Sequence, residues 1–304
     1  MIPLRQHVAS LVAVFLALAV GIALGGGLLA RDDDGDNDAP TSTTTSTSTP
    51  AAAQEIHSEF ADAFAGEGAT RLYADGLKGH AAAILALPGT ETAQVKALQA
   101  QIVSAGGAIS GTFTVGDPMV DPAQKTLVDN TSAELTTQLG DPRIEPTAPT
   151  YERMGQLLGL AMATTQSSSV RADLAAVSIR GTLGDAQLLT SPADVRNAPL
   201  VLIVLPPGAQ GAPASLATRT VVAGLVAGIA HNAAGVVVVG DEDSAADGEL
   251  AAIRESELAG SISTVDGLET TIGQVTTVLA MEAVIAGTTG SYGASGSDGV
   301  VPLG

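Results

Sequence analysis

The chain has 304 residues, a formal net charge of −19 and no cysteine. Its length accommodates an anchor plus one or two globular units. A surface this negative repels phosphate groups, which excludes a nucleic-acid partner, and the lack of cysteine excludes disulfides, thiolate metal sites and cysteine nucleophiles. Aromatic residues make up only 2% of the chain and tryptophan is absent, so the core must be built from Ala, Val, Leu and Ile.

Residues 8–30 form an apolar run interrupted only by Ser10. At about 1.5 Å per residue, a helix of this length crosses a hydrocarbon core of about 30 Å. The run is longer than the apolar region of a secretory signal, which favours a retained transmembrane helix over a cleaved signal. Arg5 precedes the run, and the positive-inside rule then predicts a cytoplasmic stub at 1–7 with the rest of the chain outside. We therefore expect a single-pass protein of the cell membrane, with the lipid bilayer as its first partner.

One face of this predicted helix carries small residues at a spacing of four. They are Ala13, Ala17, Gly21 and Gly25, and the last two form a GxxxG pair. Small residues at this spacing let two helix backbones approach closely in a membrane. The face predicts self-association of the anchor, and hence a homo-oligomer; the alternative is a stripe of small residues that faces lipid.

Residues 31–53 contain mainly Asp, Thr, Ser, Pro and Ala. Such a segment cannot bury enough apolar surface to offset the entropy lost on ordering, so we expect a disordered linker. Runs of Thr and Ser with Pro also resemble glycosylated stalks. As a coil the linker would span about 25 Å, and fully extended about 70 Å.

Short apolar runs then alternate with helical periodicity over 54–287, which predicts an extracytoplasmic α/β domain. The run at 81–89 predicts a buried strand, and a helix follows with Thr90 as its N-cap and Gly106 at its C-terminal end. The alternating segment 108–115 predicts a second strand. Because a strand–helix–strand unit needs a crossover connection, these two strands are expected to be parallel.

Further along, two continuous apolar runs at 199–208 and 235–243 are typical of central parallel strands that are covered on both faces. A helix is predicted between them at 214–233, and another around 168–180. An earlier helix is indicated by residues at helical spacing, namely Met154, Leu157, Leu158, Ala161 and Met162. The pattern predicts a three-layer, mostly parallel, Rossmann-like α/β fold.

The C-terminal part adds three expectations. Residues 262–266 predict a short edge strand, and 271–287 a final helix. The residues of this helix expected to face the core are Ile272, Val275 and Leu279. The glycine-rich segment 288–304 is expected to be a flexible tail.

No catalytic motif stands out, so we expect a protein that is not an enzyme. The sequence contains neither GxGxxG nor GxxxxGK[ST], and no GxSxG. Asp241, Glu242 and Asp243 follow a predicted strand, at the end where open α/β sheets bind ligands, and adjacent acids can hold a hard cation. The alternative for these three is a solvated loop on an acidic protein. No cofactor is evident, because the histidines lack metal-site spacings and Met154 and Met162 fall on the predicted core face.

The two ends of the chain, MIPLRQHVASLVAVFLALAVGIALGGG and ISTVDGLETTIGQVTTVLAMEAVIAGTTGSYG, resemble the mycobacterial copper transport protein B family of actinobacterial envelope proteins. The residues that carry the resemblance are Arg5, His7, Ile262, Ser263, Thr264, Val265, Asp266, Tyr292 and Gly293, with the Val14–Ala19 segment. The resemblance implies copper export or copper tolerance, with a copper ion as the species handled. A charged coiled coil that follows the anchor in this family is replaced here by the linker, so subunit pairing must rest on the anchor face or the domain.

Two functional hypotheses follow. The first is copper-related envelope transport, implied by the resemblance; because Cu(I) prefers thiolate and thioether ligands and Cu(II) clustered imidazoles, it requires an oligomer or a partner protein. The second is a non-enzymatic extracytoplasmic scaffold that recruits or regulates cell-envelope remodelling proteins. It is motivated by an anchor, a tether and a folded domain without a catalytic constellation.

Overall fold

The computed structural model describes residues 50–208 and 214–302, and side chains from residue 58 onward. The predicted stub at 1–7, the predicted span at 8–30 and most of the predicted linker lie outside the described residues. Helix α1, Pro50–Tyr73, begins inside the segment predicted as linker. In the part of the chain that is described, none of the helices has the length and apolarity needed to cross a bilayer.

The strands form a mostly parallel sheet, as the sequence predicts. In chain order they are β1 Ala81–Ala86, β2 Ala108–Val115, β3 Val170–Arg171, β4 Leu189–Thr190, β5 Arg196–Asn197, β6 Leu200–Val204, β7 Gly235–Val239, β8 Ser263–Val265 and β9 Ser291–Tyr292. The main sheet has the order β4-β2-β1-β6-β7-β8-β9, and β3 and β5 form a small separate ladder. Every pairing in the main sheet is parallel except that of β2 with β4.

Helices cover both faces of the sheet, which gives the expected three layers. After α1 they are α2 Thr92–Ser104, α3 Asp117–Val120, α4 Lys125–Leu139, α5 Thr150–Met162, α6 Leu174–Asp185, α7 Leu216–His231, α8 Glu242–Asp247, α9 Glu249–Arg254 and α10 Thr271–Ile285. Helices α1, α2 and α10 pack on one face, and α4, α5, α6, α7 and α9 contribute to the core on the other. Alternate residues of each central strand therefore point into different cores. In β6, Val201 and Ile203 face the second core while Leu200, Leu202 and Val204 face the first.

Two predicted helix starts are wrong. Thr90 is not the N-cap of α2: the helix begins at Thr92 after Glu91, which makes no side-chain capping bond. The Thr90 hydroxyl instead donates to the Val204 carbonyl oxygen at 3.1 Å, tying the turn after β1 to the neighbouring strand. The helix predicted around 168–180 begins at Leu174, because the chain just before it pairs as β3.

The C-terminal predictions need larger corrections. Strand β8 is not an edge strand, and the segment after α10 is not a loose tail, because β9 pairs in parallel with β8 and Tyr292 is 4% exposed. Val275 and Leu279 face the core as expected. Ile272 does not: it is 36% exposed and lies in an open groove beside α1.

Glycines allow α5 and α7 to pack backbone against backbone. A Cβ on Gly155 of α5 would overlap the Leu225 carbonyl oxygen, and a Cβ on Gly228 of α7 would overlap the carbonyl oxygen of Glu152. One turn along in each direction, Gly159 and Gly224 are in similarly close contact with the opposite helix. In a chain with few large side chains, this close approach fills the space between the two helices.

We expect Gly228→Ala to lower the free energy of unfolding by about 2 to 3 kcal/mol, because the added methyl group forces α5 and α7 apart. The matched control is Gly181→Ala on α6, where a Cβ would meet nothing within 4 Å. That change should raise stability by about 0.5 to 1 kcal/mol through helix propensity. Urea unfolding of the purified full chain measures both. Equal effects from the two substitutions would contradict the close packing of α5 on α7.

Candidate functional site

Of the strand-end acids at 241–243, Asp241 accepts hydrogen bonds from two backbone amides. Asp241 caps α8: its Oδ1 accepts a hydrogen bond from the Ser244 amide at 2.8 Å. Both carboxylate oxygens of Asp241 also accept from the Gly208 amide, at 2.9 and 3.0 Å. Among residues 50–208 and 214–302, no group of three or more acidic or histidine side chains is placed to hold a metal ion. A hard-cation site here stays a prediction without a supporting ligand group.

The methionine side chains of the described domain belong to the core. Met119, Met154 and Met162 are 0% exposed and Met281 is 1% exposed. Their thioethers pack among aliphatic residues on both sides of the sheet. The packing role predicted for Met154 and Met162 is confirmed.

The family-motif residues of the C-terminal part lie together around one buried ion pair. Asp266, at the end of β8, is 1% exposed, and its Oδ1 accepts from Arg254 Nη2 at 2.8 Å. Its Oδ2 accepts from the amide and the hydroxyl of Ser295 at 2.9 and 3.0 Å. Arg254 Nη2 also donates to the Tyr292 carbonyl oxygen at 2.8 Å. We call Arg254, Thr264, Asp266, Ser291 and Ser295 the Arg254 cluster.

Further contacts of the Arg254 cluster connect β9 to β8. Arg254 Nε donates to Thr264 Oγ1 at 3.0 Å, and Thr264 Oγ1 donates in turn to Ser291 Oγ at 3.0 Å. Gly293 has φ +111°, and a Cβ there would overlap Asp266 Oδ1. Both the backbone conformation and the close approach therefore require glycine. The cluster is a clamp that makes the C-terminal segment part of the sheet.

A groove of about 1280 Å³ opens on the other helical layer. Its floor is the outward face of α7, and its walls are the N-terminal end of α5 and the turn at 256–258. The lining residues on which the argument rests are Leu216, Thr220, Gly224, Ala227, Tyr151 and Leu258. Leu216 is 81% exposed. Lys125, Glu152 and Glu257 place charges among these mainly apolar residues. We call this surface the α7 groove.

Tyr151, one of the residues that line the α7 groove, carries an unsatisfied polar group. The residue is 8% exposed and belongs to the hydrophobic core. Within the described part of the chain, its hydroxyl is buried without a hydrogen-bond partner. Burial, and to a lesser extent the charge of Asp121, raises the pKa of Tyr151. An unpaired buried hydroxyl costs about 1 to 3 kcal/mol.

A second buried arginine positions the α5 wall of the α7 groove. Arg153 Nη2 donates to Asp129 Oδ1 at 2.7 Å, and Arg153 Nη1 donates to the Ala148 carbonyl oxygen at 3.1 Å. Thr150 Oγ1 donates to the same Asp129 oxygen at 2.7 Å. The hydrogen bonds from Thr150 and Arg153 lower the pKa of Asp129. The first turn of α5 is thus held at a defined position relative to α4.

Glu282 of α10 is a titratable group in a confined site. Its carboxyl group occupies the space that a Cβ on Gly76 would need, in the loop after α1. Burial raises the pKa of Glu282 to about 7, and its Oε1 has no hydrogen-bond partner among the described residues. The nearby Tyr73 hydroxyl donates to Gln101 Oε1 at 2.8 Å instead.

The structure brings together one group of predicted site residues. Ile262, Ser263, Thr264, Val265 and Asp266 end beside Tyr292 and Gly293, all at the Arg254 cluster or in its strands. Of the other predicted site residues, Asp241, Glu242 and Asp243 lie at the start of α8. The rest lie outside the described residues; these are Arg5, His7, Ala13, Ala17, Gly21 and Gly25. Sequence reasoning missed Arg254 and Ser295, because a single arginine in a polar segment and a serine in a glycine-rich tail carry no pattern. It also missed Tyr151 and Leu216, which no motif marks.

Fold and side-chain arrangement together define the class of protein. It is an acidic three-layer α/β domain in which a buried ion pair fixes the C-terminal strand and an apolar groove stays open on one helical layer.

The chain belongs to the family described as "Copper transport outer membrane protein, MctB", which matches residues 1–302. The chain is 29% identical to the Copper transporter MctB of Mycobacterium leprae (strain TN), across 96% of each protein. It is 28% identical to the Copper transporter MctB of Mycobacterium tuberculosis (strain ATCC 25618 / H37Rv), again across 96% of each. The family resemblance predicted from the two ends of the sequence is confirmed and extends over the whole chain.

We expect Asp266→Asn to lower the free energy of unfolding by about 3 to 5 kcal/mol, because it leaves the buried Arg254 guanidinium without its counter-ion. Limited proteolysis should then cut within 291–302 sooner than in the unsubstituted chain. The control is Asp75→Asn, which removes an exposed ion pair with Lys78 at 3.9 Å and should change stability by less than about 1 kcal/mol. An Asp266→Asn chain as stable as this control would rule out the clamp.

Glu282 predicts a pH dependence of stability. Its pKa in the folded chain, about 7, lies above the ordinary value of 4.5. At pH values between these two, the folded chain therefore binds more protons than the unfolded chain. Stability should therefore fall as the pH rises through this window and level off above it. Because the group is partly screened by solvent, we expect the Glu282 share of this loss to be about 1 to 2 kcal/mol.

The free energy of unfolding should differ less between about pH 5 and about pH 8 in Glu282→Gln than in the unsubstituted chain, by the amount assigned to Glu282. The control Glu67→Gln removes one exposed negative charge from α1. If both variants show the same pH dependence as the unsubstituted chain, Glu282 is not the group responsible.

Proposed function

We propose that this chain is a single-pass envelope protein that serves copper export or copper tolerance by binding a partner protein in the α7 groove. Residues 8–30 anchor it, residues 1–7 face the cytoplasm, and the α/β domain lies outside the cell membrane. The chain acts without catalysis of its own. The α7 groove is the observation that carries the proposal.

Family membership supports the copper part of the proposal. The relatives that match across nearly their whole length are named copper transporters. The apolar run at 8–30 supports the anchor, since it is long enough to cross the hydrocarbon core and Arg5 precedes it.

Ligand chemistry favours a role through a partner over direct copper binding. The chain has no cysteine, and the methionines of the described domain are all inside the core. Cu(I) is held by thiolates and thioethers, and Cu(II) by clustered imidazoles. A copper path therefore needs residues from another protein or from several copies of this chain.

The shape and chemistry of the α7 groove suit a helix of the partner. The floor residues Leu216, Thr220, Gly224 and Ala227 lie along one face of α7, and an apolar helix face can pack between α7 and the α5 wall. Lys125 and Glu257 would fix the orientation through polar contacts at the rim.

The same groove supports the second candidate, a scaffold that recruits or regulates cell-envelope remodelling proteins. The two candidates differ in the partner and not in the binding surface. Loss of the chain should reduce copper tolerance in the first case, and should disturb cell shape or division at unchanged copper tolerance in the second.

We expect Leu216→Glu to make cells as copper-sensitive as a strain that lacks the gene, because a charge in the apolar floor prevents docking. The control is Leu174→Glu on α6, where the side chain is 89% exposed and lies away from the α7 groove. Both variants are expressed in the deletion strain from the native promoter, and growth is measured against added copper. The control should restore normal tolerance.

Membrane abundance of both variants is checked by immunoblot, since Leu216 is 81% exposed and its replacement should not affect folding. Full copper tolerance in the Leu216→Glu strain would refute the groove as the copper-related surface. Unchanged copper tolerance in the deletion strain, together with altered cell shape, would replace the first candidate by the second.

A further inference from the structure

Two phenylalanines project into solvent from α1. Phe60 and Phe64 are 71% and 72% exposed, and they lie four residues apart, so they occupy the same face of the helix. The whole chain contains only four phenylalanines, and Phe113, by contrast, is completely buried. In a chain so poor in aromatic residues, two of the largest side chains are thus mostly exposed among the described residues.

These phenylalanines belong to a continuous apolar groove between α1 and α10. The groove has a volume of about 350 Å³, and its other lining residues are Ala61, Ala65, Leu72, Ile272, Val275, Thr276, Leu279 and Val301. None of these carries a charge. We call this surface the α1–α10 patch. Exposed apolar patches of this kind mark interaction surfaces on soluble domains.

The patch has a defined geometry. Asp62 Oδ1 accepts a hydrogen bond from the Thr271 amide at 2.9 Å, which joins α1 to the first turn of α10. On the side of α1 toward the sheet, Ala69 and Tyr73 are buried in the core. The phenylalanine side is therefore a fixed outer face of the domain.

We propose that the α1–α10 patch is the contact surface between two copies of this chain. In a two-fold dimer, the same patch is contributed by both subunits. Phe60 and Phe64 of one copy would fill the groove beside Ile272 of the other.

Charge favours this occupant over a lipid surface. Helices that lie on membranes carry many Lys and Arg residues on their polar face. The segment from Phe60 to Tyr73 has Arg71 as its basic residue, against Asp62 and Glu67. With a net charge of −19, the protein is repelled by anionic headgroups. It also repels other copies of itself, so contact between two copies is favoured where the lining residues carry no charge, as at the α1–α10 patch.

The position of the patch along the chain favours a second copy over an unrelated protein. Helix α1 directly follows residues 1–49, which contain the predicted anchor, and this step rests on the anchor in the proposed function. Two anchors in one bilayer, with tethers that span about 25 Å as coils, hold their domains at a high effective concentration. In a parallel pair of α1 helices, the N-terminal ends of both helices lie at the same end of the pair.

The lack of native cysteine makes the contact directly measurable. We would introduce Glu67→Cys, which lies on α1 one turn beyond Phe64, and Val103→Cys, which is 61% exposed on α2 and outside the patch. Each full-length variant is reconstituted in detergent micelles and in vesicles and treated with a short bis-maleimide. The Glu67→Cys chain should give a cross-linked dimer, and the Val103→Cys chain at least about tenfold less, because its thiols lie away from the two-fold contact.

Adding Phe60→Glu and Phe64→Glu to the Glu67→Cys chain should abolish cross-linking, and the mass measured by light scattering should fall from dimer to monomer. Circular dichroism checks that the doubly substituted domain stays folded. A dimer that survives both phenylalanine substitutions, or an unsubstituted chain that is a monomer in micelles and in vesicles, would overturn the inference. If the chain is a monomer and the copper tolerance of the cells still depends on Leu216, the dimer inference is wrong and the proposed function stands.

Discussion

The structure depends on burying a wide parallel sheet on both faces with small aliphatic side chains. Strands β1, β6 and β7 consist of Ala, Val, Leu and Ile with one glycine, and their alternate residues enter two separate cores. With few aromatic residues to fill space, the helices must approach the sheet and each other closely. The glycine contacts between α5 and α7 are the clearest result of this constraint. Phe60 and Phe64 do not contribute to this packing, because their aromatic rings are mostly exposed on the surface of α1.

The few basic residues of the chain include two that hold separate segments of the fold together. The chain has 13 basic residues against 32 acidic ones. Two of the arginines are largely buried and form ion pairs between different elements. Arg254 fixes the C-terminal strand through Asp266, and Arg153 fixes the start of α5 through Asp129. Both guanidinium groups are largely buried and paired, which compensates the cost of removing them from water. The excess of acid remains on the surface, where it limits the surfaces at which another protein can bind.

The two apolar surfaces lie on opposite helical layers. The α7 groove belongs to the layer with α5, and the α1–α10 patch belongs to the layer of α1, α2 and α10. Pairing through the patch would therefore leave both α7 grooves open. In the proposed function, an anchored dimer would present two outward-facing binding grooves to its partners, and the Arg254 cluster would keep the domain intact between the two surfaces.

The sequence by itself determined the layers, the parallel central strands, the core positions of Met154 and Met162 and the family, because these depend on periodicity and on contiguous motifs. The Ile262–Asp266 segment was recognisable as a motif, but its role was not. Asp266 meets Arg254 and Ser295 only when β8 and β9 pair, and nothing local predicts that a glycine-rich segment becomes a strand. Tertiary structure likewise decided that Ile272 is exposed, that Thr90 is not a helix cap and that the Tyr151 hydroxyl is unpaired. Each depends on which distant residue occupies the neighbouring space, and side-chain contacts between residues far apart in the chain leave no periodic trace in the sequence.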